Sequence, residues 1–169
     1  MLAYALMILS FAAAGFSQAP EGYRKVMITS NVNDKFVVVP KAPVASGSGL
    51  VVQTRTDKAD QHWYIKDGTG SKIQLVDTTF CIDAGAKSNW KDMGALSVKN
   101  CSDTEPAQKW NVMADGRIAL EGSTPQECVD LQYMRATANN PVGLYSCAGL
   151  GNTGAADKGI NWPLVNVTG

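Results

Sequence analysis

One stretch of the sequence occurs twice and decides the fold: WYIKDGTGSKIQL at residues 63–75 and WNVMADGRIAL at residues 110–120. In both copies apolar residues alternate with other residues, an Asp-Gly pair follows, and a second alternating run returns. Alternation with a period of two is typical of strands with one buried face, and Asp-Gly is a preferred pair in the tight turns of β-hairpins. Each copy is therefore predicted to be a β-hairpin whose tryptophan shares a face with the returning isoleucine and leucine.

A cysteine segment follows each hairpin, so the repeat extends beyond the hairpin. The segments FCID at 80–83 and ECVD at 127–130 share the pattern C-x-D, and a second cysteine follows each, Cys101 or Cys147. A fainter copy lies earlier in the chain, where Val38 occupies the aspartate position. The sequence therefore contains three related units, of which the first has diverged most.

Three tryptophans mark the ends of these units. Trp63, Trp110 and Trp162 lie 47 and 52 residues apart, and we expect all three in the core because their positions repeat with the fold. The units span approximately residues 18–66, 67–113 and 114–169. Strand-like runs are short and turn signals are frequent, which predicts an all-β protein. A closed barrel capped by three hairpins suits this length better than a propeller or a solenoid.

The first 17 residues are uncharged and almost continuously apolar. The apolar run is short for a membrane span, and the small residues Gly15 and Ser17 suit a cleavage site. We therefore expect residues 1–17 to be a signal peptide, with a membrane anchor or a buried N-terminal helix as alternatives. The mature chain is then residues 18–169, a single domain that begins at Gln18. It is expected to be secreted and extracellular, without stable membrane insertion once the signal is cleaved.

A secreted destination makes the four cysteines candidates for disulfides, which could pair in three ways. Two similar local loops are the most economical pairing, Cys81 with Cys101 and Cys128 with Cys147. Zinc is a poor alternative because the chain has no C-x-x-C spacing and His62 is its only imidazole. No metal and no cofactor are expected.

Charge and motifs exclude several classes of function. The chain has 15 Lys+Arg and 15 Asp+Glu, so it lacks the basic excess of a nucleic-acid binder. It has no phosphate-binding loop and no dinucleotide fingerprint. The single His62 lies beside Trp63, a poor place for a catalytic base, and no pair of carboxylates stands out for glycoside hydrolysis. We therefore expect the protein not to be an enzyme.

The repeated motifs resemble those of a known family. Gln61-His62-Trp63 and Gln108-Lys109-Trp110 resemble the Q-x-W signature of the ricin B-type lectins, and the C-x-D segments at 81–83 and 128–130 resemble a second element of that family. The resemblance extends over the whole mature chain. It implies a β-trefoil, with twelve short strands in three pseudo-symmetric repeats of about 50 residues, and it implies carbohydrate binding.

The resemblance also implies a site in the third repeat. In the family the aspartate of C-x-D accepts hydrogen bonds from the sugar, an aromatic ring two residues before the second cysteine stacks on it, and an asparagine before Q-x-W assists. Asp130 and Tyr145 occupy the first two positions, whereas Gly159 replaces the asparagine. Asn152 or Asp157, in the loop before it, are candidates for the missing polar contact.

The second repeat matches the family pattern less well. It keeps Asp83 and Gln108, but Lys99 occupies the stacking position and no asparagine precedes Q-x-W. Trp90, in a nearby loop, is a candidate replacement for the ring. In the first repeat Val38 replaces the aspartate, so no working site is expected there.

Three functions remain open at this point. The first is a lectin that binds galactose or N-acetylgalactosamine on glycans or glycoproteins through the second and third repeats. The second is a proteinase inhibitor that presents the loop at 40–43 or at 123–126. The third is a lectin-like scaffold with decayed sites, in which both aspartates only cap backbone N–H groups and a protein partner is bound. The oligomeric state is not determined by the sequence.

Overall fold

The computed structural model describes residues 18–168, so the expected signal peptide at 1–17 lies outside the described residues. The described part of the chain has thirteen short strands and several single turns of 3-10 helix. The strands are β1 (Arg24–Ile28), β2 (Phe36–Pro40), β3 (Leu50–Thr54), β4 (Trp63–Ile65), β5 (Gly68–Ser71), β6 (Gln74–Leu75), β7 (Phe80–Asp83), β8 (Ser97–Asn100), β9 (Trp110–Val112), β10 (Ile118–Leu120), β11 (Glu127–Leu131), β12 (Val142–Ser146) and β13 (Leu164–Asn166). None of the helices between residues 18 and 168 is long and apolar enough to cross a membrane.

The strands form a barrel and three hairpins that cap it. In the barrel β1 pairs with β13 and β4, β4 pairs with β6, and β9 pairs with β5 and β10. The capping hairpins are β2–β3, β7–β8 and β11–β12, and isolated bridges join each hairpin to the other two. The repeats predict a closed barrel with three capping hairpins, and this arrangement is the β-trefoil that the family resemblance implies.

The two hairpins predicted from the repeated stretch are present. Trp63 lies opposite Leu75 in the β4–β6 pair, and Trp110 lies opposite Leu120 in the β9–β10 pair. All four side chains are buried, so each hairpin directs one face into the core.

The three tryptophans are core residues, as expected, and each one also ties the barrel to a hairpin. Trp63, Trp110 and Trp162 are at most 1% exposed. Each indole Nε1 donates a hydrogen bond to a carbonyl in the first strand of the neighbouring hairpin. The acceptors are Val38, Ile82 and Val129, at 2.9, 3.2 and 2.8 Å. A buried indole N–H needs an acceptor, and this recurring bond satisfies it in every repeat.

Two disulfides close the second and third hairpins. Cys81 is bonded to Cys101 and Cys128 to Cys147, which is the local pairing that the repeats predict. The first hairpin has no disulfide, and no free cysteine occurs in the described residues.

The strand count differs from the expected twelve because one strand is interrupted. The first barrel strand of the second repeat is divided into β5 and β6 at residues 72–73. Its stretch, residues 63–75, is two residues longer than the copy at 110–120, and the pairing of β5 with β9 shifts register between Gly68 and Ser71. The additional residues therefore coincide with an irregularity in the pairing, and the strand is interrupted without a change of fold.

Candidate functional site

The third repeat contains a cavity of about 340 Å³ beside the hairpin β11–β12. We call it the third-repeat cavity, and its lining residues are Met93, Asp130, Tyr133, Met134, Tyr145, Leu150 and Asp157. Three of the residues proposed from the sequence therefore lie together: Asp130, Tyr145 and Asp157. Asn152 is not among the lining residues.

Asp130 and Tyr145 meet because of the register of the hairpin. Asp130 on β11 lies opposite Gly143, and Cys128 lies opposite Tyr145. Side chains two residues apart on a strand project from the same face, so Tyr145 is the diagonal neighbour of Asp130. The ring is half-buried and packs against a small cluster that contains the Cys128–Cys147 disulfide.

The Asp130 carboxylate is buried and has no hydrogen-bond donor. The residue is only 8% exposed, and within residues 18–168 no group donates to its side chain. Burial, together with the negative charges of Asp157 and Asp92, raises the pKa of Asp130 to about 7. The fully enclosed side-chain atoms without a partner in the described residues are Nε2 of His62 and Oε2 of Glu127. Asp130 is not among them, because its carboxylate opens onto the cavity. Its position in the cavity wall leaves it available to a ligand that donates hydrogen bonds.

Asp157 has a different role in the same cavity. Its Oδ2 accepts a hydrogen bond from the N–H of Leu150 at 2.7 Å, and its Oδ1 accepts one from the N–H of Gly159 at 2.8 Å. The side chain therefore holds the loop that follows β12 in place. Its free acceptor capacity is smaller than that of Asp130.

Gly159, which occupies the position of the family's asparagine, lies close to the side chains of the cavity. A Cβ at this position would lie 3.0 Å from Oδ1 of Asp130 and 3.2 Å from both Oδ1 of Asp157 and Cγ of Met134. Such contacts are tighter than ordinary van der Waals separation, so the close approach of the loop to β11 favours glycine.

Sequence reasoning missed the apolar residues around this cavity. Met93, Tyr133, Met134 and Leu150 are between 40% and 70% exposed and come from three separate loops. A single apolar residue in a loop is unremarkable, because much of any protein surface is apolar. Only the folded structure shows that these four lie together.

The second repeat also has a cavity, of about 430 Å³, which we call the second-repeat cavity. Its lining is polar, and the residues are Ser46, Asp83, Gly85, Ala86, Lys99, Asn100, Ser102, Glu105 and Gln108. The structure thus brings together Asp83, Lys99 and Gln108, as expected from the sequence.

The Asp83 carboxylate already accepts hydrogen bonds from groups within the protein. It is 2% exposed, and its Oδ1 accepts a hydrogen bond from the N–H of Gly85 at 2.7 Å. Its Oδ2 accepts one from Nε2 of Gln108 at 3.0 Å, and Nζ of Lys99 lies 3.5 Å from Oδ1. These contacts satisfy the carboxylate without a ligand.

The glutamine of Q-x-W has a structural role in both repeats that contain it. Gln108 accepts a hydrogen bond from the N–H of Ser102 and donates to the carbonyl of Asn100. Gln61 does the same with Thr56 and Thr54. In each case the side chain fastens a loop to the end of a strand.

Two other residues considered from the sequence, Trp90 and Val38, lie outside both cavities. Trp90 does not line the second-repeat cavity, because its indole donates to the carbonyl of Gly85 and its ring packs against the core. Val38 is 1% exposed and belongs to the core, so the first repeat has no carboxylate at this position. Within the described residues, no group of three or more His, Cys, Asp or Glu side chains could hold a metal ion.

Comparison with known proteins agrees with the fold and with the motifs. A family model for the ricin-type beta-trefoil lectin domain matches residues 69–157, which is more than half of the chain. The chain belongs to this family. Sequence comparison with curated proteins finds no significant match.

Solved structures with the same fold include three that match most of the chain. The mdaA-1 domain is 22% identical, with a TM-score of 0.68, and the match covers 94% of this chain and 100% of that domain. The designed three-fold symmetric protein ThreeFoil is 17% identical, with a TM-score of 0.68, and coverage is 87% and 100%. The C-half of an earthworm R-type lectin, solved with GalNAc, is 17% identical, with a TM-score of 0.63 and coverage of 85% and 99%. At these identities the likeness concerns the fold.

Proposed function

We propose that this protein is a lectin that binds glycans of the galactose or N-acetylgalactosamine type through the third-repeat cavity. The observation that carries the proposal is the Asp130 carboxylate, which is buried, lacks a donor and lies in the wall of a cavity beside the Tyr145 ring. Two neighbouring sugar hydroxyls would donate to the two oxygens of Asp130. The ring of Tyr145 would cover the apolar C–H face of the pyranose.

The same geometry supports one principal site instead of the two expected from the sequence. A sugar at Asp83 would have to compete with Gly85, Gln108 and Lys99 for the carboxylate. Exchanging satisfied hydrogen bonds for equivalent ones yields little net free energy. We therefore expect the second-repeat cavity to bind sugar weakly or not at all.

The choice of sugar rests on the family and on one neighbour. The earthworm lectin half was solved in complex with GalNAc, and a mutant of it in complex with 6'-sialyllactose. These ligands belong to those proteins, and they define the first sugars to test here.

Secretion and the absence of catalysis are part of the same proposal. Two disulfides suit a protein that matures in an oxidising compartment, in keeping with a cleaved signal peptide. Membership of a lectin family supports a binding function over an enzymatic one. Glycoproteins outside the cell are then the natural partners.

No observation favours the proteinase-inhibitor alternative. The loop at 123–126 is fastened to the fold, since the buried Ser123 hydroxyl donates to the carbonyl of Leu120 and accepts from the N–H of Glu127. Residues 41–43 are exposed, whereas Pro40 is buried at the end of β2, and exposure alone does not indicate an inhibitor.

A glycan array with matched variants tests the proposal. Wild-type protein should bind glycans with terminal galactose or N-acetylgalactosamine, and Asp130→Asn should bind about 10- to 100-fold more weakly, because a hydrogen bond to a charged group contributes about 1.5–3 kcal/mol. Asp83→Asn is the matched control and should bind like the wild type. Absence of glycan binding by wild-type protein would contradict the proposal and leave the scaffold with decayed sites as the better explanation. Protease inhibition that survives Asp130→Asn would favour the inhibitor.

A further inference from the structure

The third-repeat cavity has an apolar rim, by which we mean Met93, Tyr133, Met134 and Leu150. Five large apolar side chains are well exposed in the described part of the chain, and four of them form this rim. The fifth, Val44, lies in the loop between β2 and β3 and does not line the cavity. Exposed apolar side chains that are scattered singly need no explanation, whereas their concentration around one cavity marks an interaction site.

The backbone under the rim is strained. Seven residues other than glycine have a positive φ in the described chain, and four of them are aspartate or asparagine, which tolerate this conformation. The other three are Met93, Tyr133 and Met134, with φ of 67°, 56° and 52°, and all three belong to the rim. Left-handed backbone is unfavourable for such residues, and strain of this kind concentrates at ligand sites. The conformation turns apolar side chains towards the cavity at a cost to the fold.

The polar groups of the cavity are few. Among the carboxylates that line the cavity, Asp130 receives no hydrogen bond from any group in residues 18–168, while both oxygens of Asp157 already accept backbone N–H groups. Tyr133 and Tyr145 each add one hydroxyl. A hexose with hydroxyl groups on every edge would leave several of them against methionine and leucine side chains. A ligand that fits must therefore be polar where it meets Asp130 and apolar where it meets the rim.

We propose that the third-repeat cavity selects hexoses that carry an apolar substituent, and that the apolar rim binds that substituent. Two sources share this chemistry: the methyl group of an acetamido substituent, and an alkyl or aryl aglycone. The inference rests on the proposed function, because Asp130 and Tyr145 are taken to hold the sugar ring itself. Methionine side chains suit such a surface, since they are flexible and adapt to substituents of different shape.

Affinity measurements with a graded series of ligands test this inference. The ligands are methyl galactoside, N-acetylgalactosamine and octyl galactoside below its micelle concentration, measured by isothermal titration calorimetry. Each buried methylene or methyl group contributes a factor of about four in affinity. Methyl galactoside is the reference ligand. If the rim binds an acetamido methyl group, wild-type protein should bind N-acetylgalactosamine about three- to fivefold more tightly than this reference. If the rim binds an aglycone, wild-type protein should bind octyl galactoside about tenfold more tightly. A preference for one ligand and not the other identifies the source of the substituent.

Variants of the rim separate this inference from the proposed function. Leu150→Ser and Met134→Gln change exposed side chains, and each should reduce the preference for the apolar ligand at least threefold. Val44→Ser changes an exposed apolar residue outside the rim and should leave every affinity unchanged. Binding of all three ligands with equal affinity, or rim variants that keep the full preference, would overturn the inference and leave the lectin function intact. Absence of binding to all three would instead refute the proposed function.

One alternative occupant gives a different result. If the rim served to attach the protein to a lipid surface, sedimentation with neutral phosphatidylcholine vesicles would depend on Leu150 and be insensitive to Asp130→Asn. That outcome would overturn the inference. No sedimentation with these vesicles is expected.

Discussion

The second and third repeats place an aspartate at the same position of equivalent hairpins, yet the two carboxylates have opposite environments. Asp83 has two hydrogen-bond donors and a lysine ammonium within 3.5 Å, whereas Asp130 has no donor among the described residues. The motif alone therefore does not determine whether its aspartate supports the fold or is free for a ligand. The residues that surround it do.

Two replacements explain the difference. The glutamine that reaches Asp83 in the second repeat corresponds to Ile160 in the third, which is fully buried and cannot donate. Lys99, which pairs with Asp83, corresponds to Tyr145, whose ring lies beside Asp130. The third repeat therefore lacks the two side-chain partners that Asp83 has and carries an aromatic ring instead. The backbone contact is missing as well, because the N–H of Gln132, which corresponds to Gly85, donates to the carbonyl of Pro141.

The largest expected effect is on stability, and it should separate the two aspartates. Asp83→Ala leaves the N–H of Gly85 and the amide of Gln108 without their acceptor, so the free energy of unfolding should fall by about 2–3 kcal/mol. Asp130→Ala removes no hydrogen bond and also removes a buried charge at this pH, so it should not lower the free energy of unfolding. Urea denaturation of both variants at a mildly alkaline pH measures the difference. Equal losses in the two variants would show that Asp130 has an internal partner after all.

The pH dependence of the sugar affinity should follow the ionisation of the Asp130 carboxyl. The pKa of this carboxyl is raised to about 7 by burial and by the charges of Asp157 and Asp92, and only the ionised form accepts hydrogen bonds from sugar hydroxyls at both oxygens. Affinity should therefore rise with pH and be about 10- to 100-fold greater at about pH 8 than at about pH 5. Calorimetric titration across this range measures it. The weak residual binding of Asp130→Asn should not follow this profile.

Stability should depend on pH in the opposite direction. A carboxyl whose pKa is higher in the folded protein than in the unfolded chain stabilises the fold below its unfolded pKa, and this contribution is lost as pH rises to the folded pKa. The pKa of Asp130 is raised from 3.8 to about 7, so the ionisation of Asp130 should make the free energy of unfolding fall as pH rises from about 4 to about 7. Glu127 acts in the same direction, because burial and the charge of Asp92 raise its pKa to about 7.

Thermal unfolding at several pH values separates these two groups. Asp130→Asn should remove part of the fall in the free energy of unfolding with rising pH. At about pH 8, where the wild-type protein contains the buried charge, this variant should be more stable than wild type by about 1–2 kcal/mol. Glu127→Gln should remove a second part. A decline that persists in the double variant would assign the pH dependence to other groups.

The smallest effect is expected from restoring the missing glutamine. Ile160→Gln should place an amide donor near Asp130, as Gln108 does for Asp83, and so lower the pKa of Asp130 below about 7. Titration of the carboxyl followed by NMR measures this change. An unchanged pKa would mean that the replacement at position 160 does not explain the free carboxylate.

The fold could be predicted from the sequence because its signals are local and repeated. Alternation around Trp63 and Trp110 defines hairpins within a dozen residues, and two similar cysteine spacings predict the disulfides. The interrupted strand was not predicted, since two additional residues can form either a longer turn or a bulge.

The candidate site was only partly predictable, for a physical reason. The family pattern identifies Asp130 and Tyr145 by position, and the register of one hairpin brings them together. The occupation of Asp83 and the assembly of the apolar rim both depend on loops from different parts of the chain. Contacts of that kind are tertiary, and no periodicity in the sequence encodes them.

A crystal structure of the protein soaked with methyl galactoside would show which of the two aspartates binds sugar. We predict one sugar in the third-repeat cavity, with its ring over Tyr145 and two hydroxyls within hydrogen-bond distance of the Asp130 oxygens. The contacts of Asp83 with Gly85 and Gln108 should be unchanged. A sugar bound at Asp83, with the third-repeat cavity containing only water, would contradict the assignment of the site to Asp130.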